Sequence, residues 1–140
     1  MGSHRVVISL DPREPTPAPF TKVTHMQVSV AHHPPNTAVL VLRGSLDIDT
    51  APALKANLGR LVERPAPRVV VDVSGLDFCD SMGVGVLVTA HGRATERGGW
   101  VRLAAPSGFL RRLFDTLGLT EYLPMFPDLA TAMKDEPPTG

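Results

Sequence analysis

Cysteine is almost missing from this chain of 140 residues, because Cys79 is the only one. A single cysteine excludes an internal disulfide framework and a metal cluster built on cysteine ligands. Aromatic residues are scarce as well, at 5% of the chain. That share argues against the aromatic platforms on which single-stranded nucleic acids stack.

An excess of charge of one sign is also missing, since 14 Lys and Arg residues balance 14 Asp and Glu residues. Non-specific binding to nucleic acid or to a membrane surface needs a basic excess, so we expect neither partner. The longest apolar runs, residues 38–42 and 84–88, are far shorter than the roughly 18 residues that span a bilayer. The N-terminus shows no signal-peptide pattern, and we therefore expect a cytoplasmic protein.

Proline marks the ends of a single predicted domain. Residues 11–19 contain four prolines, and proline fixes φ and lacks an amide donor, so this stretch favours an extended linker. We predict a flexible proline-rich extension over residues 1–25, one domain over residues 26–134 and a disordered tail over residues 135–140.

Between these ends, patterns typical of strands and helices alternate. Residues 27–31 and 37–43 predict a hairpin, and the β-branched run at 68–73 predicts a central strand covered on both faces. The other predicted elements are helix 51–63, helix 81–97, strand 100–104, a helix from 106–107 to 117, a short edge strand at 122–126, and a helix from Asp128 to about 134. The order ββαβαβαβα predicts an α/β fold: a small mixed sheet of four to five strands with helices packed on it.

The most informative segment is residues 80–85, where a strand leads into a helix. Asp80 is predicted to cap that helix, which places Ser81 at its solvent-facing start. Gly83 and Gly85 lie in the first turns, where each glycine costs roughly 1 kcal/mol relative to alanine. Such glycines indicate a close approach of another backbone or of a partner. A purely structural interpretation is also open, in which Asp80 caps the helix, Ser81 fills its start and the glycines pack on the sheet.

No enzyme motif surrounds Ser81. A nucleophile elbow requires Gly-x-Ser-x-Gly and a histidine base, but Cys79 stands where the first glycine belongs. Four of the five histidines lie in or beside the N-terminal extension, and His91 lies well along the predicted helix. A phosphate-binding loop with its lysine is absent as well. We therefore expect no catalytic residue, no cofactor and no metal site.

Two further segments have plain structural interpretations. Residues 44–51 contain Asp47 and Asp49, which are consistent with a loop and a helix cap, and Asp49 and Thr50 offer oxygens for capping the helix that follows. Residues 110–119 are consistent with an amphipathic helix that has an exposed basic edge.

Taken together, these segments resemble the STAS domain, which is shared by sulfate-transporter tails and bacterial anti-sigma factor antagonists. Residues 44–51 resemble the family's Gly-x-Leu-Asp-x-x-Thr-Ala, and residues 110–119 resemble its Val-x-Arg-x-Phe-x-x-x-Gly-Leu. Residues 71–87 resemble the strand and loop that lead into its phosphorylation motif, usually Asp-Ser-Ser/Thr-Gly-Leu-Gly-Val-Leu. The three motifs occur in order across residues 26–134.

The resemblance implies an anti-sigma factor antagonist whose phosphorylation site is Ser81. Unphosphorylated, the chain would bind an anti-sigma factor of the serine-kinase type and so free a sigma factor. Phosphorylation by that kinase would release it, and a metal-dependent serine phosphatase would restore it. The partner-binding residues that we infer around Ser81 are Asp47, Asp49, Thr50, Asp80, Met82, Gly83 and Gly85. We expect a monomer or a weak homodimer.

One position departs from the family pattern. Met82 stands where the motif has a second hydroxyl residue, so kinase recognition or partner choice can differ in this chain. Two alternatives stay open: a STAS scaffold or accessory subunit of a stressosome or transporter complex, and a small-molecule or nucleotide sensor. The sensor hypothesis requires a pocket in the folded domain.

Overall fold

The computed structural model describes residues 26–134 and, for the backbone alone, residues 4–9. The elements in chain order are β1 (His4–Ser9), β2 (Met26–His33), β3 (Thr37–Leu46), α1 (Ala51–Val62), β4 (Arg68–Cys79), α2 (Ser81–Glu96), β5 (Trp100–Ala104), α3 (Gly108–Thr116), β6 (Met125–Phe126) and α4 (Leu129–Ala132). The rest of the predicted extension, residues 10–25, and the predicted tail, residues 135–140, lie outside the described residues.

The strands form one mixed sheet in the order β1-β2-β3-β4-β5-β6. The pairs β1–β2 and β2–β3 are antiparallel, and β3–β4, β4–β5 and β5–β6 are parallel. This confirms the predicted α/β class with a mixed sheet, and the five strands of residues 26–134 are the predicted ones.

Strand β1 departs from the prediction, which placed residues 4–9 in a flexible extension. His4–Ser9 pairs along its whole length with residues 27–32 of β2 and becomes an edge strand. The outer edge of β2 presents a row of backbone donors and acceptors, and a short segment rich in Val and Ile can pair with it. The sheet therefore has six strands instead of four to five.

The two faces of the sheet are covered unequally. Helices α1, α2 and α3 pack on one face over the main core, to which the sheet contributes alternate residues such as Leu40 and Leu42. On the other face, Val39 and Val70 form a smaller core with Ala132 of α4. Residues 69–71 of β4 are all buried, which confirms the prediction that this central strand is covered on both faces.

Some element bounds differ from the prediction for identifiable reasons. Strand β4 continues to Cys79, because its pairing with β3 resumes after irregularities near Gly75 and ends with Leu46 beside Cys79. Strand β6 and helix α4 are shorter than predicted, although Asp128 caps α4 as expected by accepting from the amide of Thr131 at 2.8 Å. Within residues 26–134, none of the helices has the length and apolar character needed to cross a membrane.

Candidate functional site

The carboxyl ends of β3 and β4 meet beside the first residues of α1 and α2. Leu46 and Cys79, the last residues of the two strands, are paired, and the amide of Asp80 donates to the carbonyl of Leu46 at 3.1 Å. The β3–α1 loop and the start of α2 therefore lie against each other. In open α/β sheets, this end of the strands is where ligands usually bind.

Asp80 caps α2, as predicted. Its Oδ1 accepts hydrogen bonds from the amides of Met82 at 3.0 Å and Gly83 at 3.1 Å. Its own backbone is extended, with φ −111° and ψ −177°, so the helix begins at the next residue. Ser81 is thus the first residue of α2, and its side chain is exposed.

The two glycines of this segment have different surroundings. A Cβ on Gly83 would lie 2.5 Å from Cγ of Leu46 and 3.1 Å from its carbonyl oxygen, so only glycine lets α2 approach the end of β3 this closely. Gly83 is buried, which contradicts the prediction that it contacts a partner. Gly85 is exposed, and a Cβ added to it would have no atom within 4 Å.

The β3–α1 loop is held by Asp47 and Thr50. The Thr50 hydroxyl accepts from the Asp47 amide at 2.9 Å and donates to the Ser45 carbonyl at 2.8 Å. Oδ1 of Asp47 accepts from the amides of Asp49 at 2.9 Å and Thr50 at 3.1 Å. The loop is therefore closed by its own side chains.

Two predictions about Thr50 are wrong for this reason. Its side chain makes no capping hydrogen bond to α1, because the hydroxyl is turned back into the loop. With 1% of its surface exposed, it also offers nothing to a partner. Asp49 is exposed and Asp47 is half-buried.

Large apolar side chains are exposed in the segments that meet at this edge of the sheet. Ile48 is 62% exposed and Met82 is 52% exposed. The rings of Phe78 and Phe109 are stacked with their centroids 6.2 Å apart, and both are exposed. We call the exposed residues Ile48, Asp49, Phe78, Ser81, Met82 and Phe109 the Ser81 surface.

Sequence reasoning missed Ile48, Phe78 and Phe109 as parts of this surface. A signal was present for Ile48, which stands between two aspartates in the β3–α1 loop. A large apolar residue in a polar loop has no strand or helix face to bury it. Clustered exposed apolar side chains of this kind mark interaction surfaces.

Cys79, next to the site, is unsuited to nucleophilic chemistry. Burial, and after it the carboxylate of Asp80, raises the pKa of the Cys79 thiol to about 12. Its Sγ donates to the Asp80 carbonyl at 3.5 Å. The thiol is therefore protonated at neutral pH and unreactive. Among residues 26–134, no three His, Cys, Asp or Glu side chains converge as ligands for a metal ion.

Comparison with known families decides the classification. A family model described as "Mlab, STAS domain" matches residues 29–127. The chain belongs to the STAS domain family. The STAS match takes in the β3–α1 loop and all of α2, and so it includes Ser81 and the residues that position it.

This STAS domain is similar to proteins named as anti-sigma factor antagonists. It is 25% identical over 114 residues to an anti-sigma F factor antagonist of Paenibacillus polymyxa, covering 79% of this chain and 95% of that protein. It is 29% identical over 109 residues to the anti-sigma-F factor antagonist RsfB of Mycobacterium tuberculosis, covering 76% and 85%. The crystal structure of an anti-sigma factor antagonist from Mycobacterium paratuberculosis superposes with a TM-score of 0.69 at 28% identity, covering 77% of this chain and 91% of that one.

The STAS domain also contains a groove of about 500 Å³ between α1 and α2. We call it the α1–α2 groove, and its described lining consists of Ile48, Ala51, Pro52, Lys55, Leu58, Gly59 and Val62 on one side and Ser81, Met82, Gly85, Val86, Thr89, Ala90 and Arg93 on the other. Ile48, Ser81 and Met82 belong to both the groove and the Ser81 surface, so the two features are continuous.

Proposed function

We propose that this protein is an anti-sigma factor antagonist that binds an anti-sigma factor through the Ser81 surface. The observation that carries the proposal is the exposed serine at the capped start of α2, with the exposed apolar side chains of Ile48 and Met82 beside it. The names of the similar proteins support the same function. Binding sequesters the anti-sigma factor and frees its sigma factor.

The residues around Ser81 divide into two roles in this proposal. Asp80 and Asp47 position the serine and the neighbouring loop through backbone hydrogen bonds, and Gly83 lets the helix sit close to Leu46. Exposed Asp49, Met82 and Gly85 contact the partner directly. Thr50 acts only inside its loop.

Phosphorylation of Ser81 is the proposed switch. The anti-sigma factor, a serine kinase, transfers the γ-phosphoryl group of ATP to Oγ of Ser81, releasing ADP and a proton. The new group adds about −1.5 to −2 charge at neutral pH, next to Asp80 and at the edge of the sheet that also holds the loop of Asp47 and Asp49. A partner surface fitted to a neutral hydroxyl then meets bulk and charge, a mismatch that can cost several kcal/mol.

A metal-dependent serine phosphatase reverses the switch by hydrolysing the phosphoester to serine and inorganic phosphate. In this scheme, the chain is a substrate of two enzymes and catalyses no reaction itself. Its proposed partners act on the transcription machinery, which places it in the cytoplasm. We propose that it works as a monomer or a weak homodimer.

Two variants of Ser81 test the proposal. Ser81→Ala removes the phosphate acceptor without adding charge, so it should bind the cognate anti-sigma factor as wild type does and resist release by ATP. Ser81→Asp places a carboxylate at the helix start, where the helix dipole tolerates it within about 1 kcal/mol of stability, and it should bind more weakly. Calorimetric titration measures both affinities, and intact mass after incubation with kinase and ATP measures phosphorylation.

Thr89→Ala is the matched control, because Thr89 is an exposed hydroxyl residue two turns further along α2. It should be phosphorylated and released like the wild type. Equal affinities of the Ser81→Ala and Ser81→Asp variants, with the phosphate on another hydroxyl, would contradict the proposal. That result would favour a fixed contact, as in a scaffold or transporter subunit.

A further inference from the structure

Two glycines within helices face the α1–α2 groove, although packing does not require glycine at either position. Gly59 of α1 and Gly85 of α2 both line the groove, and a Cβ on either would have no atom within 4 Å. Gly83 differs, since its Cβ would meet Leu46. A glycine inside a helix costs about 1 kcal/mol relative to alanine. The chain thus carries two destabilising residues whose effect is to leave the groove open.

The groove has the size of a small-molecule site. Its volume of about 500 Å³ lies within the range of about 300–1,000 Å³ that is usual for ligand pockets. Pro52 to Val62 and Met82 to Arg93 bound it lengthwise, which at a rise of 1.5 Å per residue gives a length of about 15 Å. Pro52, Met82 and Val86, which are exposed or half-buried, give the lining its apolar surface.

The shape and polarity of the groove match an alkyl chain. Helices α1 and α2 pack side by side, so the groove runs along their line of contact. The exposed lining is mainly apolar, and an elongated apolar groove matches a single alkyl chain.

The charges of the groove favour an anion. Among the described residues that line it, Lys55 and Arg93 are basic and none is acidic. Arg93 lies near the end of α2, and Nη2 of Arg93 is 3.7 Å from Oε2 of Glu63, with both side chains more than half exposed. Such an exposed pair is weak, so the guanidinium can bind a second carboxylate. The opposite end, at Ile48 and Met82, is apolar.

We propose that the α1–α2 groove binds a single-chain fatty carboxylate, with its alkyl chain between the helices and its carboxylate at Arg93. The alkyl chain lies over Gly59, Gly85 and Val86 and extends towards Met82. This site goes beyond the proposed function, because binding needs neither an anti-sigma factor nor phosphorylation. The two proposals can therefore fail separately.

Titration of the full chain with dodecanoate below its micelle concentration tests the site. We expect saturable binding of one molecule per chain, measured by calorimetry. Gly59→Leu fills the groove and should weaken binding at least tenfold, whereas Ala56→Leu adds the same side chain on an exposed part of α1 outside the groove and should leave affinity unchanged. Circular dichroism melts establish that both variants are folded.

Removing the charge of Arg93 tests whether the carboxylate of the ligand binds there. Arg93→Gln should weaken dodecanoate binding about tenfold, the loss of about 1.4 kcal/mol, and should leave the binding of uncharged dodecanol unchanged. Arg97→Gln, an exposed arginine outside the groove, is the control and should have no effect. Absence of saturable binding, equal affinity of Gly59→Leu and wild type, or an Arg97→Gln effect as large as that of Arg93→Gln would overturn the proposal.

Discussion

The two sides of α2 differ in what their side chains do. The side towards the sheet contains Gly83, Leu87 and His91, all buried, and the opposite side contains Ser81 and Gly85, both exposed. The buried residues fix the distance and the angle of the helix relative to the sheet. The exposed residues face outward, where a partner can bind. Gly83 and Gly85 stand only two residues apart in one motif, yet one is needed for packing and the other leaves open space. The side of the helix, more than the motif, determines what a residue does.

The sharpest test of this contrast is to give each glycine a methyl group. Gly83→Ala places a Cβ 2.5 Å from Cγ of Leu46, and overpacking of this kind costs about 1–3 kcal/mol. Gly85→Ala meets no atom and should stabilise the helix by up to about 1 kcal/mol. Urea denaturation measures both free energies of unfolding, and equal losses in the two variants would remove the distinction between the sides.

Loss of the cap at the start of α2 should have the next largest effect. Asp80→Ala removes the acceptor of the Met82 and Gly83 amides and should lower stability by about 1 kcal/mol. Asp80→Asn can still accept these hydrogen bonds and should retain most of the stability. The free energies of unfolding of the two variants show whether the hydrogen bonds of Asp80 or its charge stabilise the start of α2. An equally large loss in Asp80→Asn and Asp80→Ala would mean that the charge is responsible.

A smaller effect on stability is expected from protonation of His91, which lies on the side of α2 towards the sheet. Burial lowers the pKa of His91 below its ordinary 6.5, and its Nδ1 accepts from the Val101 amide at 3.1 Å. The folded state thus prefers the neutral ring, while the unfolded chain takes up a proton below 6.5. The contribution of His91 to the free energy of unfolding should therefore be fully present above pH 6.5. It should be lost as the pH decreases from 6.5 towards the folded-state pKa.

Chemical denaturation between pH 8 and pH 5 measures this loss. His91→Gln should reduce the change in the free energy of unfolding between pH 8 and pH 5. His33→Gln, a change outside the helix, should leave that pH dependence as it is in the wild type. A wild-type stability that stays constant from pH 7 to pH 5 would show that His91 does not carry the dependence.

The smallest change in stability is expected on the outer side. Met82 is 52% exposed, so Met82→Ala should alter the free energy of unfolding by no more than about 0.5 kcal/mol. The same variant should weaken binding of the anti-sigma factor, because Met82 belongs to the Ser81 surface. Thermal melts and calorimetric titration together separate the two effects, and a large fall in melting temperature would place Met82 in the packing of the domain.

Local patterns were sufficient to predict most of the fold. The β-branched run of β4, the proline at the start of α1 and the aspartate before Ser81 are signals that act within a few residues. They indicated the order of the elements in residues 26–134 and the cap at Asp80. Strand β1 was missed because its partner, β2, lies beyond the proline-rich residues 11–19.

Which residues of the site are buried could not be predicted from local sequence patterns, because burial depends on contacts that form only in the folded domain. The Thr50 hydroxyl has two possible directions, towards α1 or back into its loop, and the bond to the Ser45 carbonyl decides between them. The roles of Gly83 and Gly85 depend on where Leu46 lies in space. The α1–α2 groove exists only once both helices are packed, so the sequence of either helix alone could not predict it.

The hydrogen bonds of Asp80 bear on how long a signal at Ser81 would last. Oδ1 of Asp80 already accepts from the amides of Met82 and Gly83, so a phosphoryl group on Ser81 would find those donors taken and would extend into water. In the proposed switch we therefore expect the backbone of the domain to be the same in both forms. A conformational signal relaxes on the scale of microseconds to seconds. A signal held in a phosphoester persists until an enzyme removes it, so in the proposed scheme the phosphatase, and not the protein, would set the duration of the response.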